Sequence, residues 1–185
     1  MTLTKLTYLF KKYNLIYFIF LSLVFKFHNN FRKYGIISGG GVATTNLINY
    51  CSKFTKLNNK DNEDNFKHLK YIPTNKKILY FYSLEFESII RSLRRRHFYY
   101  HNSAHLGSTL SILFFFNHKI SNYFFKKKLR SQILLHLNSK NSLCIKYENI
   151  WKEKEKIVKF LKIKNKNKFR KNFPKKKKRI QEINI

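Results

Sequence analysis

The sequence is poor in acidic residues, cysteine, glycine and proline, and each shortage argues against a class of function. Its 185 residues include only 9 Asp and Glu, 2 Cys, 5 Gly and 2 Pro. Because Cys51 and Cys144 form no Cys-x-x-Cys pair, they give neither a disulfide framework nor a zinc knuckle. Two free thiols in a reducing compartment are expected instead. So few carboxylates leave almost no material for paired acid–base catalysis.

Catalytic and ligand-binding motifs are also missing. Gly39–Gly41 lacks the Gly-Lys-Ser/Thr sequence of a phosphate-binding loop, so these glycines indicate a turn. The seven histidines include no His-Glu-x-x-His pair and no carboxylate at a spacing suited to a metal. No serine carries the nucleophile-elbow signature of a hydrolase. The sequence therefore predicts no enzyme activity, no catalytic residue, no metal site and no cofactor.

What the chain has in excess is positive charge, combined with apolar residues. Its 39 Lys and Arg give a formal net charge of +30 and an isoelectric point near 10.2. Because like charges repel in a compact state, a polyanion is the expected partner, with nucleic acid first and an anionic membrane second. The composition is 43% hydrophobic and 17% aromatic, so the chain can still bury a core.

One apolar run, Leu15–Phe25, invites a membrane interpretation. Its eleven residues, "LIYFIFLSLVF", fall short of the roughly 20 that a membrane-spanning helix needs. No small-residue cleavage site of a signal peptide follows the run. A buried strand or a strand–helix corner fits this segment better, and the sequence predicts no membrane span.

The first part of the chain alternates helical and extended patterns. Apolar spacing predicts a helix over Thr4–Asn14, a buried strand over Leu15–Leu21 and a second helix over Ser22–Gly35. A strand then begins at Ile36 and is broken by the glycines that start at Gly39. This part of the chain therefore has the predicted order α-β-α-β.

From Lys76 the pattern favours β-structure, because long apolar runs contain no glycine or proline. Lys76–His101 is predicted to form two strands, and Gly107–Ile120 a third strand that ends in a polar tip. Ser121–Arg130 is predicted as a short basic helix and Ser131–Asn138 as a closing strand. The predicted order in this part is β-β-β-α-β.

The predicted fold is therefore α+β, with two small packed α/β halves and a basic C-terminal extension. The predicted boundaries are 1–75 for the N-terminal half with an insertion at 39–75, 76–137 for an RNA-binding half, and 138–185 for the extension. Within the extension, Trp151–Ile163 favours a docked helix with Glu155 and Lys159 as an i,i+4 pair. Lys164–Arg179 offers no core and is predicted to be disordered until it meets its partner.

The stretch "IIRSLRRRHFYYH", Ile89–His101, mixes arginine with aromatic residues. Arginine binds phosphate through two parallel hydrogen bonds and stacks on rings, while lysine contributes point charge. If this stretch is a strand, its alternation places arginine on both faces. The interpretation is an edge strand, or one whose polar side packs against RNA.

Four short strings stand in a collinear order along the chain: "FRKYGIIS", "SLRRRHFYY", "LFFFNHKI" and "KKLRSQILLHL". In that order they resemble the small-subunit ribosomal protein eight family, over about Leu3 to Leu137. The family's Ser-Thr-Ser-Lys-Gly loop is replaced here by Phe115–Lys119, and its diglycine by Ser131 and Gln132. The family's hydroxyl contacts to RNA are therefore not carried over, although Asn117 and Lys119 could donate hydrogen bonds and Phe116 could stack on a base.

The resemblance implies a structural component of the small ribosomal subunit that binds the central domain of the small-subunit RNA, beside other ribosomal proteins and not as a homo-oligomer. Abundant Lys, Asn, Ile, Phe and Tyr are typical of an AT-rich genome and point to a mitochondrial, organelle-encoded protein. One alternative is the thirteenth small-subunit family, which "YGIISGGGVATTNLINYC" faintly resembles. The other is a peripheral subunit of an organellar membrane complex, anchored through residues 15–25.

The predicted RNA-binding residues share a positive charge or an aromatic or amide side chain within the basic regions. They are Lys11, Lys12, Arg94, Arg95, Arg96, Phe116, Asn117, His118, Lys119, Lys126, Lys127, Lys128, Arg130, Arg170, Lys171, Lys175, Lys176, Lys177, Lys178 and Arg179.

Overall fold

The computed structural model describes residues 34–40, 42, 44–58, 76–114 and 116–174. Its centre is a three-stranded sheet formed by β1 (Tyr34–Ser38), β2 (Lys77–Tyr82) and β3 (Ser142–Lys146), in the order β1-β2-β3. Both strand pairs are parallel. The nearly continuous apolar sequence of β1 and β2 is typical of parallel strands that are covered on both faces.

The helices of the described residues follow the strands in three groups. Their bounds are α1 (Thr44–Cys51), α2 (Phe86–Arg95), α3 (Tyr99–His105), α4 (Thr109–Leu113), α5 (His118–Leu137), α6 (Lys154–Phe160) and α7 (Lys166–Lys171), with a 3-10 turn at Tyr147–Asn149. Helix α1 follows β1, helices α2 to α5 connect β2 to β3, and α6 and α7 follow β3.

Helices α5 and α6 cover opposite faces of the sheet. Ile37 of β1 is aligned with Tyr80 of β2, so their side chains share a face, and the Tyr80 hydroxyl donates to Oε1 of Gln132 in α5 at 2.9 Å. Tyr34 lies three residues before Ile37 and points to the other face, because side chains alternate along a strand. There its ring contacts that of Phe160 in α6, with centroids 6.1 Å apart. The sheet is the middle of three layers.

An aromatic cluster attaches α7 to α1. Tyr50 and Phe54 both contact Phe169, with ring centroids 5.1 and 5.2 Å apart, and Phe173 contacts Tyr50 at 5.5 Å. The Tyr50 hydroxyl also donates to the backbone carbonyl of Phe169. Because Phe169 is completely buried, α7 belongs to the folded core.

The outer edge of β1 is covered by a side chain. Asn58 accepts a hydrogen bond from the Ile36 amide at 2.8 Å and donates one to the Ile36 carbonyl at 3.0 Å. The amide group thus imitates a neighbouring strand at this point and satisfies backbone groups that would otherwise be left exposed on an edge.

Helix α5 is long because its sequence gives it a cap and a continuous buried stripe. The Asn117 side chain accepts from the Ile120 amide at 3.2 Å, which caps the first turn. Its buried residues recur at helical spacing and are Ser121, Phe125, Leu129, Gln132, Ile133 and His136. Ser121 and Phe125 of this stripe pack against α3 and α4, whereas Gln132 and His136 contact Tyr80 of the sheet.

The glycine turn after β1 lets two helices approach the backbone closely. A Cβ at Gly39 would lie 2.0 Å from Cδ1 of Leu129 in α5, and one at Gly40 would lie 2.3 Å from Oδ1 of Asn102 in α3. Gly40 also has φ of +95°, which disfavours residues with a side chain. The predicted turn is confirmed at Gly39 and Gly40, where a side chain would meet neighbouring side chains, and Gly41 lies outside the described residues.

The predicted mixture of helices and strands is confirmed, as are a strand that ends before Gly39 and a strand that begins at Lys77. The second strand predicted within Lys76–His101 is wrong, because α2 and α3 occupy those residues. Ile89, Ile90 and Leu93 have helical spacing and form the buried face of α2. Aromatic and β-branched content outweighed that spacing in the sequence interpretation.

Two further predicted strands are also helical. Gly107–Ile120 contains α4 and the first turn of α5, and Ser131–Asn138 is the end of α5. The short helix predicted over Ser121–Arg130 is the middle of the same 20-residue helix. The order β-β-β-α-β is therefore replaced by one strand and four helices.

The predicted insertion and extension both contain parts of the core. Helix α1 lies within residues 39–75, and β3 of the central sheet lies within residues 138–185. Val158 and Leu161 are buried as the docked helix predicts. The disorder predicted from Lys164 is wrong for residues 166–171, which form α7, because Phe169 supplies the apolar anchor.

The elements predicted over residues 4–33 lie outside the described residues, as does the apolar run at 15–25. The end of the helix predicted over Ser22–Gly35 is wrong, because Tyr34 and Gly35 belong to β1. In the part of the chain that the structure describes, no helix combines the length and the apolar character that crossing a bilayer requires.

Candidate nucleic-acid interface

Helices α2 and α5 lie antiparallel and join their basic residues into one surface. Arg94 near the end of α2 donates to Oδ1 of Asn122 near the start of α5 at 2.9 Å. Near the start of α2, the Arg130 guanidinium lies 5.2 Å from the ring centre of Phe86. Lys126, which lies between Asn122 and Arg130 in α5, pairs with Glu87. We call the outward face of these two helices the α2–α5 surface.

Arg94 is a structural member of this surface. Its guanidinium lies 4.1 Å from the ring centre of Tyr99, which is buried and whose hydroxyl shares a 3.0 Å hydrogen bond with Ser121. Such cation–π contacts contribute about 0.5–2 kcal/mol, depending on burial. The structure therefore directs the predicted RNA-binding side chain of Arg94 into the protein.

Arg95 and Arg96 are exposed, as RNA contact requires. Arg96 donates from Nε to the carbonyl of Ser92 at 3.0 Å and lies 5.9 Å from the ring centre of Phe98. Both arginines stand at the carboxyl end of α2, where the helix dipole favours cations. Arg96 is thus held close to the body by its own helix end.

The α2–α5 surface has an unusual charge balance. The sequence from Ser88 to Tyr147 contains no acidic residue at all. Its basic residues are Arg91, Arg94, Arg95, Arg96, Lys119, Lys126, Lys127, Lys128, Arg130, Lys140 and Lys146. Glu87 at its margin pairs with Lys126. Because the stretch itself supplies no carboxylate, the surface has a strong positive potential.

The junction of α4 and α5 exposes large apolar side chains next to these cations. Phe116 is 86% exposed and Tyr123 61% exposed, and the rings of Phe114 and Phe124 stack with centroids 6.1 Å apart. Leu110, Leu113 and Ile120 are exposed beside them. We call this group, which also carries the predicted residues Asn117, His118 and Lys119, the α4–α5 corner.

Asn117 has a second role at this corner. Its side-chain oxygen accepts the capping hydrogen bond of α5, and its NH₂ group is the part of the side chain that can donate to RNA. His118 and Lys119 are exposed in the first turn of the helix. The sequence interpretation placed this loop at a strand tip and missed Leu113 and Tyr123, which stand in α4 and α5 on either side of Phe116.

The remaining predicted residues are divided between α7 and the ends of the chain. Arg170 donates from Nε and Nη2 to the two oxygens of Glu155, at 2.7 and 2.8 Å, and Lys171 is exposed next to it. This pair replaces the i,i+4 pair that was predicted for Glu155. Lys11 and Lys12 and the run Lys175–Arg179 lie outside the described residues.

Burial shifts the pKa values of one histidine and of both cysteines. Burial lowers the pKa of His136 to about 4, and its ring stacks on Tyr80 with centroids 4.0 Å apart. Burial raises the pKa of the Cys51 thiol to about 12 and that of Cys144 to about 11. Both cysteines are free, as predicted, and both are kept as unreactive thiols.

The described ranges contain no group of three or more His, Cys, Asp or Glu side chains that could hold a metal ion. Comparison of the chain with models of known protein families, with curated proteins and with solved structures found no match.

Proposed function

We propose that this chain is an RNA-binding structural protein of a mitochondrial small ribosomal subunit, and that the α2–α5 surface and the α4–α5 corner bind its RNA. The observation that carries the proposal is the acid-free stretch from Ser88 to Tyr147, which places cations and exposed aromatic rings on adjoining helices. Positive charge accounts for attraction to a polyanion, and the rings account for the choice among polyanions.

Phosphate contact is the first part of the proposal. Cations on helices bind backbone phosphates without regard to sequence, and each phosphate that they neutralise steepens the salt dependence of binding. Arg95, Arg96 and Lys127 are exposed on the α2–α5 surface, and Arg130 is exposed beyond Phe86. These four residues are the proposed phosphate contacts.

Base contact is the second part. Proteins recognise RNA largely through unpaired bases that stack on aromatic side chains. Phe116 and Tyr123 present such rings, with Lys119 between them in sequence to hold the backbone. Exposed rings beside cations suit RNA with unpaired nucleotides, because its bases can stack on the rings while its phosphates contact the cations.

The ribosomal setting rests on the sequence. The composition favours an organelle-encoded protein, and no motif of the sequence favours catalysis. Membership of the small-subunit ribosomal protein eight family remains a prediction, because three of the strings that suggested it were interpreted as strands and lie in helices. RNA as the partner does not depend on that family, whereas the small ribosomal subunit as its setting does.

The experiment that tests the proposal measures binding of the full chain to small-subunit RNA between 50 and 200 mM salt. At about 0.7–0.9 in slope for each phosphate, four or more contacts give a slope of log Kobs against log[salt] of about −3 or steeper. An affinity that changes less than about twofold over this range contradicts the proposal. In organelle extracts, the chain should sediment with the small subunit, and recovery in the carbonate-resistant membrane pellet would exclude the ribosomal setting.

A further inference from the structure

Helices α6 and α7 enclose a concave site that the sequence did not reveal. The turn between them contains Lys162, whose φ of +52° reverses the chain direction so that both helices face one cleft of about 520 Å³. Four cations and one carboxylate line the cleft: Lys159, Lys162, Lys166, Arg170 and Glu155. Val158 and Ile163, both buried, form its apolar floor.

The walls of this cleft are firmly attached to the protein. Phe160 at the end of α6 contacts Tyr34 of β1, and Phe169 of α7 is buried in the aromatic cluster. The indole nitrogen of Trp151 donates to the Pro174 carbonyl at 2.7 Å, which fixes the chain just beyond α7. Asn165 caps α7 by accepting from the Lys168 amide at 3.1 Å. The cations therefore project from a fixed frame.

The excess positive charge of the cleft favours binding of an anion. Glu155 is its only carboxylate, and Arg170 already occupies both oxygens of that group. The three lysines have no second acidic residue in the lining, and their mutual repulsion is relieved when an anion binds. Lysine ammonium groups are compact point charges, which suits them to phosphate oxygens approached from several directions.

We infer that this cleft binds the phosphodiester backbone of RNA, as a site separate from the α2–α5 surface. The inference rests on the proposed function and extends it, because α6 and α5 lie on opposite faces of the sheet. RNA would then contact the protein on two sides. No aromatic ring lines the cleft, so it lacks the stacking platform that would hold a free nucleotide by its base.

Two triple variants of the full chain test the site. Lys159→Gln, Lys162→Gln and Lys166→Gln together remove three cations from the cleft. The matched control Lys152→Gln, Lys164→Gln and Lys168→Gln removes three exposed cations of the same segment that do not line it. The cleft variant should weaken RNA binding at least tenfold at 100 mM salt and reduce the salt slope by about 2. The control should weaken binding less than threefold.

A third variant changes the charge in the other direction. Glu155→Gln removes the one negative group from the cleft and releases Arg170, so RNA affinity should rise about threefold. A variant with a purely structural defect would lower affinity instead. This measurement also decides the matter if the triple cleft variant fails to fold, because Gln at the exposed position 155 leaves the aromatic cluster intact.

The outcomes separate the inference from the function on which it rests. Equal losses in the two triple variants, or weaker binding by Glu155→Gln, would overturn the cleft as a site while RNA binding itself stands. A wild-type chain that does not bind RNA would overturn both. Inorganic phosphate and a mononucleotide serve as competitors, and displacement of RNA by either at micromolar concentration would show that a free anion is the ligand.

Discussion

Two basic regions of this protein carry comparable charge in very different surroundings. On the α2–α5 surface and the adjoining α4–α5 corner, cations stand beside exposed rings, and the sequence from Ser88 to Tyr147 supplies no acid. In the α6–α7 segment the cations are denser, yet its aromatic residues pack inward and Glu155 is present among them. The difference teaches that charge alone does not define what a basic surface can recognise. Under the proposed function, the first region contacts both bases and backbone, and the second contacts only backbone.

The largest expected effect is a loss of stability in the second region, the α6–α7 segment. Phe169→Ala removes a fully buried ring from the cluster with Tyr50, Phe54 and Phe173, and such truncations cost about 3–5 kcal/mol. Thermal unfolding monitored by circular dichroism should show a clear loss of stability. Phe116→Ala, at an exposed ring, is the control and should leave the melting temperature within about one degree. Equal effects of the two changes would contradict the buried position of α7.

Lowering the pH should destabilise the first region, which contains α5, more than the second. Burial lowers the pKa of His136 to about 4, against 6.5 in an unfolded chain, so the unfolded state binds more protons between these values. The contribution of neutral His136 to the free energy of unfolding is complete above about pH 6.5. It is lost as the pH falls towards 4, by up to about 3 kcal/mol. Chemical denaturation between pH 7 and 4 measures the loss, and His136→Gln should flatten the profile.

The place in the structure where stability is lost at low pH tests the comparison between the two regions. His136 lies in α5, against Tyr80, so hydrogen exchange at pH 5 should rise in α5 and β2 before it rises in α7. An earlier rise in α7 would show that the two regions do not differ in this way.

The α4–α5 corner should contribute to RNA affinity through ring stacking. Phe116→Ala should weaken binding of RNA with unpaired nucleotides about tenfold, since stacking of one base contributes about 1–3 kcal/mol. Phe116→Leu keeps the apolar character without the ring and should lose nearly as much. Retained affinity in the leucine variant would mean that the corner docks an apolar partner and does not stack bases.

Variants of Arg94, Arg95 and Arg96 should distinguish structural from RNA-binding arginines. Their expected effects are the smallest of these predictions. Arg95→Gln combined with Arg96→Gln should reduce the salt slope by about 1–2 and leave the melting temperature nearly unchanged. Arg94→Gln should lower the melting temperature and leave the salt slope nearly unchanged, because the Arg94 guanidinium contacts Tyr99 and Asn122. Salt titrations and thermal melts of both variants make the comparison, and matching profiles would refute the different placements of these arginines.

The sequence predicted the strand before Gly39, the strand at Lys77 and the free cysteines, because each depends on local composition. It failed where spacing and composition disagreed: residues 86–95 contain β-branched and aromatic side chains, yet their apolar positions repeat with a helical period. It could not place β3 beside β2, since pairing between strands so distant in the chain leaves no local signal. The basic residues were recognised as a class, whereas the inward turn of Arg94 and the cleft around Lys162 depend on tertiary contacts.

The close approach at Gly39 has a consequence for genetics. A methyl group there would occupy the space of the Leu129 side chain in the middle of α5, so alanine would require either that side chain or the whole helix to move. If the helix moves, every cation of α5 survives the change, yet all of them are displaced together relative to Arg95 and Arg96. A lesion at an uncharged, buried turn could therefore imitate the loss of the basic surface, and a screen for defective assembly should recover both kinds of mutant.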